Sequence, residues 1–372
     1  MIRPPALLRT FRFVRQWGRA GDPVRESEVT VARGDRSVPA SLFLPRGREP
    51  ETAWVVLHGI TRPGRAHPSL LRFARALAES GSAVLVPEVP EWIELELAPS
   101  RTLPTVVGAL DVLDHRLGFG GSRTGLMGFS FGAPQAVAAA ADPTLSGRLG
   151  IVAGFGGYGD LERTFRFLFT GAHAWNGETH RRRPDPYGRW IALANFLRYV
   201  PGWEDAEQLC EALRELTRIT GERQVPAWDP VHDEIKDELA ATLTGRDRDF
   251  FAQVAPPARD DPLMDDEDGA RWATQLAAAA VRVEPLADPW PELPPPPVPV
   301  HLLHGRSDDL IPYTETLGLA KRLARQWPDA RPHVTVTGRF AHAGEAGRSH
   351  PIRDAIQSLE FARLLSRILG EI

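Results

Sequence analysis

The segment "RTGLMGFSFGAPQAVAAAA", Arg123 to Ala141, constrains the fold more than any other part of the chain. Apolar residues run without alternation up to Phe129, as in a strand buried on both faces. A helix pattern of small residues then begins almost at once, at Gly132. So abrupt a change from strand to helix needs a sharp turn, and Gly128 and Gly132 leave room for one around Ser130. A buried strand that leads straight into a helix belongs to a parallel sheet, because parallel neighbours need a crossover connection.

The same rhythm recurs upstream. "AWVVLHG" (Ala53 to Gly59) and "SAVLVPE" (Ser82 to Glu88) are continuous apolar runs, and "SLLRFARALAESG" between them has helical periodicity, a serine at its start and a glycine at its end. A helix over about 103–117 precedes the strand at Ser130, and strand "RLGIVAGFGG" follows the helix after it. This alternation predicts a doubly wound, mostly parallel sheet. From Glu26, "ESEVTVARGDRSVPASLFLP" alternates apolar and polar residues on both sides of "RGDRS", which predicts an antiparallel hairpin.

From about 158 to 297 the rhythm stops. The segments read as helical or irregular, with no convincing buried strand, and six of the ten tryptophans fall here. The stretch closes in "WPELPPPPVPV", whose prolines favour an extended connection. The pattern then resumes with "PVHLLHG", a helix near 314–326, strand "RPHVTVTG" and a terminal helix over about 352–368. The expected organisation is one core built from 1–157 and 298–372, interrupted by a helical insertion over 158–297.

Composition narrows the partners. A formal charge of -4 over 372 residues, with no basic stripe, argues against nucleic acid. The single cysteine, Cys210, excludes an internal disulfide and argues against a cysteine-rich metal site. No run approaches the roughly 18 apolar residues of a membrane span. The basic N-terminus lacks the continuous apolar core and cleavage site of a secretory signal, so a cytoplasmic location is expected. In it Leu7, Leu8, Phe11, Val14 and Trp17 fall at helical spacing among Arg9, Arg12, Arg15 and Arg19. A helix packed on its own domain is expected, without stable membrane insertion; an interfacial helix is the alternative.

Ser130 is the residue with chemistry to offer. A serine hydroxyl is a weak nucleophile at neutral pH and needs a base in hydrogen-bond reach, a group to orient that base, and donors for the oxyanion that develops. A sharp strand-to-helix turn exposes the hydroxyl at the C-terminal edge of the sheet, with the helix N-terminus aimed at the reacting centre. "VHLLHG" runs into "RSDDLIP", which brings Asp308 to the same edge, and "GRFAHAGEAG" after the last strand brings His342 there on a small-residue loop. Asp309 and Asp160 are rival acids, and His350 is the rival base.

With "VVLHGI", "GFSFG", "HGRSDDLIP" and "AHAG" in serine, acid, histidine order, the sequence resembles the α/β-hydrolases over roughly Glu26 to Gly157 and Pro299 to Ile372. The resemblance implies the α/β-hydrolase fold, a mostly parallel doubly wound sheet with a large helical cap insertion. It implies Ser130 as nucleophile, Asp308 as the acid four residues after His304, His342 as base, and Ile60 and Phe131 as oxyanion donors. The loop "HGITRPGRAHPS" is similar to those of dienelactone-hydrolase-like and small esterases. It departs from the lipase H-G-G-G pattern, and "GFSFGA" lacks the second glycine of prolyl-oligopeptidase-like enzymes. The implied activity is hydrolysis of a small-molecule carboxylic ester of small or medium acyl group, with no metal and no cofactor. A peptidase or amidase, or an inactive binding protein on the same fold, stays open, as does the oligomeric state.

Because the insertion leaves the sheet at the catalytic edge, Trp175, Trp190 and Trp203 are expected to line an acyl pocket. His58 and His304 read as supports for their loops, and Glu88 as a loop anchor. Arg62, Arg65 and His67 read equally as contacts for a substrate carboxylate or as a solvated face. "RDDPLMDDEDG" lacks the spacing of a calcium loop and reads as solvated acidic surface. His173 and His180 lack metal-ligand spacing, and Cys210 reads as a small buried helix residue.

Overall fold

A computed structural model of the chain describes residues 4–18, 24–34, 36–260, 263–290, 293–328, 331–338 and 351–372, with the backbone alone for 4 and 351–359. The predicted hairpin is present as β1 (Val24–Arg33) and β2 (Arg36–Pro45), paired antiparallel from Val24 with Pro45 to Arg33 with Arg36. The apolar runs form β3 (Thr52–Leu57), β4 (Ser82–Pro87), β5 (Thr124–Phe129) and β6 (Ile151–Phe155). An exposed two-stranded hairpin, β7 (Ala172–Trp175) and β8 (Glu178–Arg181), lies within the insertion, and β9 (Val300–Gly305) and β10 (His333–Thr337) complete the strands. Eight strands make one sheet in the order β1-β2-β4-β3-β5-β6-β9-β10, parallel from β4 to β10.

Crossover helices α1 (Pro4–Trp17), α2 (Pro68–Glu79), α3 (Pro90–Ile93), α4 (Thr102–Leu117) and α5 (Gly132–Ala140) accompany the first six strands. The insertion contributes α6 (Leu161–Thr170), α7 (Pro186–Phe196), α8 (Glu207–Arg223), α9 (Asp233–Thr242), α10 (Gly245–Val254) and α11 (Asp266–Val283). Then come α12 (Tyr313–Gln326) and α13 (Pro351–Glu371). The small hairpin was not foreseen because most of its residues stay in solvent and leave no apolar period to read.

Successive side chains of a strand point to opposite faces, and the core divides accordingly. Trp54, Val56, Val84, Val86 and Met127 pack under α1, α2 and α13. Val55, Leu57, Ala83, Leu85 and Leu126 belong to a second cluster that extends without a break into Phe165, Trp190, Leu213 and Trp272 of the insertion. The acidic run near α11 acts as a cap: Asp265 Oδ1 accepts the backbone N–H of Glu267 (3.0 Å) and Asp268 (2.8 Å), and carboxylates there suit the positive helix end.

The N-terminal helix packs on its own domain through one face. Phe13 is fully buried, and the Arg9 guanidinium donates to Leu369 O (2.6 Å), Ile372 O (2.8 Å), Thr52 Oγ1 (2.7 Å) and Ser82 Oγ (3.2 Å). Leu7, Leu8, Phe11 and Val14 stay exposed on the other face. Among the described residues no helix is long and apolar enough to cross a membrane. Removing a buried charged donor leaves its acceptors unsatisfied, so Arg9→Ala is expected to lower the unfolding free energy by about 2–4 kcal/mol. Urea unfolding followed by circular dichroism checks this; a change under about 0.5 kcal/mol would mean the fork holds nothing.

Candidate active site

Ser130 sits between β5 and α5 with a left-handed backbone, φ 53°, a region that non-glycine residues avoid unless surrounding structure imposes it. Its N–H donates to Phe155 O at 2.7 Å, which ties the turn to β6. A methyl group on Gly128 would collide with Gly132 O, and one on Gly132 would come within 2.6 Å of His58 O. The two glycines are therefore the condition for strand and helix to meet so closely. Gly59 presses on the same turn: a Cβ there would lie 2.9 Å from Ser130 Cβ and 3.4 Å from its Oγ. Ile60, next after Gly59, and Phe131, the N-cap residue of α5, thus flank Ser130.

The loop carrying Ile60 is braced from below. His58, 1% exposed, accepts the Val89 N–H at Nε2 (3.0 Å), so Nδ1 bears the proton and donates to Gly59 O (2.7 Å). Burial pushes its imidazole down to about 4. Trp92 packs edge-on against both His58 and Phe131. Arg65 is held by Glu88 (3.1 Å), Ser41 (2.7 Å) and Glu28 (2.6 Å), which makes it and Glu88 loop anchors. Arg62 donates to Ile93 O (2.8 Å) and Glu94 (2.7 Å), and reaches Glu222 of α8 (3.3 Å).

Asp308 is 4% exposed in the turn after β9. Its Oδ1 accepts the N–H of Leu310 (3.0 Å) and Ile311 (2.9 Å), and its Oδ2 lies 3.3 Å from His304 Nε2. Asp309 is half-buried, and its carbonyl accepts the Asp185 N–H at 2.9 Å. Asp160 is engaged otherwise: Oδ1 caps α6 at the Arg163 N–H (2.9 Å), and Oδ2 takes Arg322 (3.0 Å). His342 and His350 lie outside the described residues.

No protein-family model and no curated protein matches the sequence. Solved structures do. A ligand-bound form of the rice cell wall degrading esterase LipA from Xanthomonas oryzae aligns over 96% of this chain and 93% of its own, at 14% identity and TM-score 0.54. This chain has the α/β-hydrolase fold. Brefeldin A esterase, a bacterial homologue of human hormone sensitive lipase, aligns over 98% and 86% at 17% identity and TM-score 0.47. The Pyrococcus horikoshii acylaminoacyl peptidase aligns over 94% of this chain at 12% identity and TM-score 0.47, and the chain spans 42% of that protein's length.

In this α/β-hydrolase scaffold the strand order puts β5, and with it Ser130, between β3 on one side and β6 and β9 on the other. The first turn of α7 reaches across. At one end Asp185 bonds to the acid turn, and Gly188 is so close to Leu168 and Leu310 that a Cβ would lie 2.9 and 3.3 Å from their methyls. At the other, Gly221 of α8 meets both the Tyr187 hydroxyl and the Arg62 side chain, at 2.5 and 2.8 Å from a Cβ built there. The Asp185 carboxylate fixes this turn by accepting the N–H of Tyr187 (2.9 Å) and Ala227 (3.3 Å), and burial pushes its carboxyl up to about 6. The sequence signal for the turn was "DPYGRW", an aspartate N-cap with proline at the first helical position; nothing local says what it touches.

The three tryptophans expected to line an acyl pocket each have packing partners of their own. Trp190 is 0% exposed, donates from Nε1 to Val254 O (2.8 Å) and carries Lys236 over its ring, beside a space of only about 10 Å³. Trp203 packs tilted against Phe250 and edge-on against Trp272, under Arg246. Trp175 sits on the hairpin with Lys321 over its ring. A surface cavity of about 350 Å³ lies away from the elbow, walled by residues such as Arg181, Arg182, Arg183 and Arg259. Among the described residues no cluster of His, Cys, Asp or Glu could hold a metal ion. Cys210 is buried in α8, and burial pushes its thiol up to about 11.

Two outcomes follow. Trp190→Ala is expected to cost about 3–5 kcal/mol of stability, the range for emptying a buried aromatic site, as read by denaturant unfolding. The fold binds His58 as the neutral ring, so unfolding takes up a proton below about pH 6.5 and the stability tied to it is lost as pH falls toward 4. The His58 ring resonances should therefore stay those of neutral imidazole down to about pH 4; a midpoint near 6.5 would show that the loop is not packed as described.

Proposed function

We propose that the chain is a serine hydrolase that cleaves carboxylic esters of small or medium acyl groups through an acyl-enzyme on Ser130. The observation that carries this reading is the strained Ser130 turn, pressed by Gly59 and sharing its sheet edge with a buried, N–H-bound Asp308. Strain of this kind persists where the surrounding structure over-determines it, and here it serves to present a hydroxyl. Ser130 Oγ attacks the ester carbonyl while His342 takes its proton. The N–H groups of Ile60 and Phe131 receive the oxyanion. His342 then protonates the departing alcohol, and water activated by the same imidazole releases the acid. Asp308 holds the imidazole in the right tautomer.

Asp308 is preferred to Asp309 because its carboxylate is buried and pre-oriented by two backbone donors. Asp160 is set aside because its carboxylate serves a helix cap and an ion pair.

Ser130→Ala is expected to lower kcat by roughly 10⁶-fold, with folding unchanged and fluorophosphonate labelling abolished. Activity within about tenfold of wild type would end the reading. Asp308→Asn is expected to cost on the order of 10⁴-fold in kcat and Asp309→Asn far less, and the reverse ranking would move the acid to Asp309. Steady-state rates on matched ester and anilide substrates check the ester preference; equal or faster anilide cleavage would make the chain an amidase.

A further inference from the structure

We propose that His304 is a positioning residue that fixes the Asp308 carboxylate through Nε2–H. This rests on the reading of Asp308 as the triad acid. The ring is 1% exposed at the end of β9 and stands between two sets of polar atoms. On one side Nε2 lies 2.8 Å from Ile311 O and 3.3 Å from Asp308 Oδ2. A carbonyl and a carboxylate only accept, so Nε2 carries the proton. On the other side Nδ1 lies 2.7 Å from Thr316 Oγ1, which is 3.3 Å from Gly157 O. With Nε2 protonated, Nδ1 accepts the Thr316 hydroxyl proton, so the imidazole is a strut from α12 to the Asp308 turn.

The two oxygens of Asp308 are held differently. Oδ1 takes the two N–H groups of its own turn, which follow from local backbone geometry. Oδ2 is the oxygen that His304 faces across four residues of sequence. With the Nε2 donor gone, only the two N–H bonds to Oδ1 direct the carboxylate, and the imidazole that depends on Oδ2 is held less firmly. A partner that orients a reacting group in this way commonly accounts for about 10- to 100-fold in activity.

The competing role is a ring that only braces the loop, acting through Nδ1 and Thr316. Side-chain length separates the two. An asparagine amide reaches the place of Nδ1, and a glutamine amide reaches the place of Nε2. The experiment measures kcat, KM, fluorophosphonate labelling rate and thermal stability for His304→Leu, His304→Asn and His304→Gln. His304→Leu is expected to lower kcat and labelling by about 10- to 100-fold with KM little changed. His304→Gln is expected to recover to within about threefold of wild type, and His304→Asn to stay low while folded.

Recovery by asparagine and not by glutamine would overturn the proposal, as would an unchanged kcat in His304→Leu. Should these variants fail to fold, Thr316→Val tests the same point, since it removes only the bracing hydroxyl. It is expected to keep kcat within about threefold, and a loss of about tenfold or more would overturn the proposal. Failure of the serine-hydrolase reading looks different: wild type would resist the fluorophosphonate probe and Ser130→Ala would change nothing.

Discussion

The site depends on a close approach at the start of α5, which meets the end of β5 at a distance only glycine at 128 allows and the His58 carbonyl after β3 at a distance only glycine at 132 allows. That approach forces Ser130 into the left-handed region, at a cost of about 1–3 kcal/mol for such a residue. The cost is offset locally, because the Ser130 N–H finds Phe155 O on β6 and the helix keeps its first bond, Ala133 N–H to Ser130 O. Once the elbow is fixed, β3 has little choice. Gly59 must pack against it without a side chain, and the chain leaving Gly59 has to pass beside the serine.

Around this point the polar groups serve mainly to hold loops. His58 spans Val89 and Gly59, Arg65 joins three segments, and Arg62 links the Ile60 loop to the insertion. These contacts explain why basic residues next to a candidate nucleophile need not be substrate ligands. A guanidinium bound at several points is a strut, and its donors are spent on the protein. The acid turn shows the same economy: Asp308 uses one oxygen to build its own turn and presents the other to histidine.

Much of this was legible in sequence because the signals are local. The elbow is written within five residues from Gly128 to Gly132, and the acid turn within "HGRSDDLIP". The buried strands announce themselves as unbroken apolar runs. The bridge that α7 and α8 make from the Asp308 turn to the Arg62 loop could not be read, since it depends on Asp185 meeting Asp309 and on Tyr187 and Gly221 meeting Arg62, pairs more than a hundred residues apart. The surroundings of the tryptophans are hidden from the sequence for a related reason. An aromatic residue in a helical stretch lowers free energy by burial wherever it finds a partner, and Trp190 found Val254 and the insertion's own core.

The shared core also limits how the insertion can move over the sheet. If the insertion were a separate lid, its apolar residues would close on themselves and the sheet face would be sealed beneath. Instead Val55 and Leu126 of the sheet lie in one continuous buried cluster with Trp190, Leu213 and Trp272 of the insertion. Swinging the whole insertion away would expose that cluster to water, and at about 25 cal/mol per Å² even a few hundred Å² costs several kcal/mol. The first turn of α7 is held in the same way. Asp185 joins it to Tyr187, Ala227 and Asp309 through hydrogen bonds, while Pro186 is buried and Arg189 fully so. The polar contacts set where the turn starts, and the buried side chains keep it from opening apart from the core behind it.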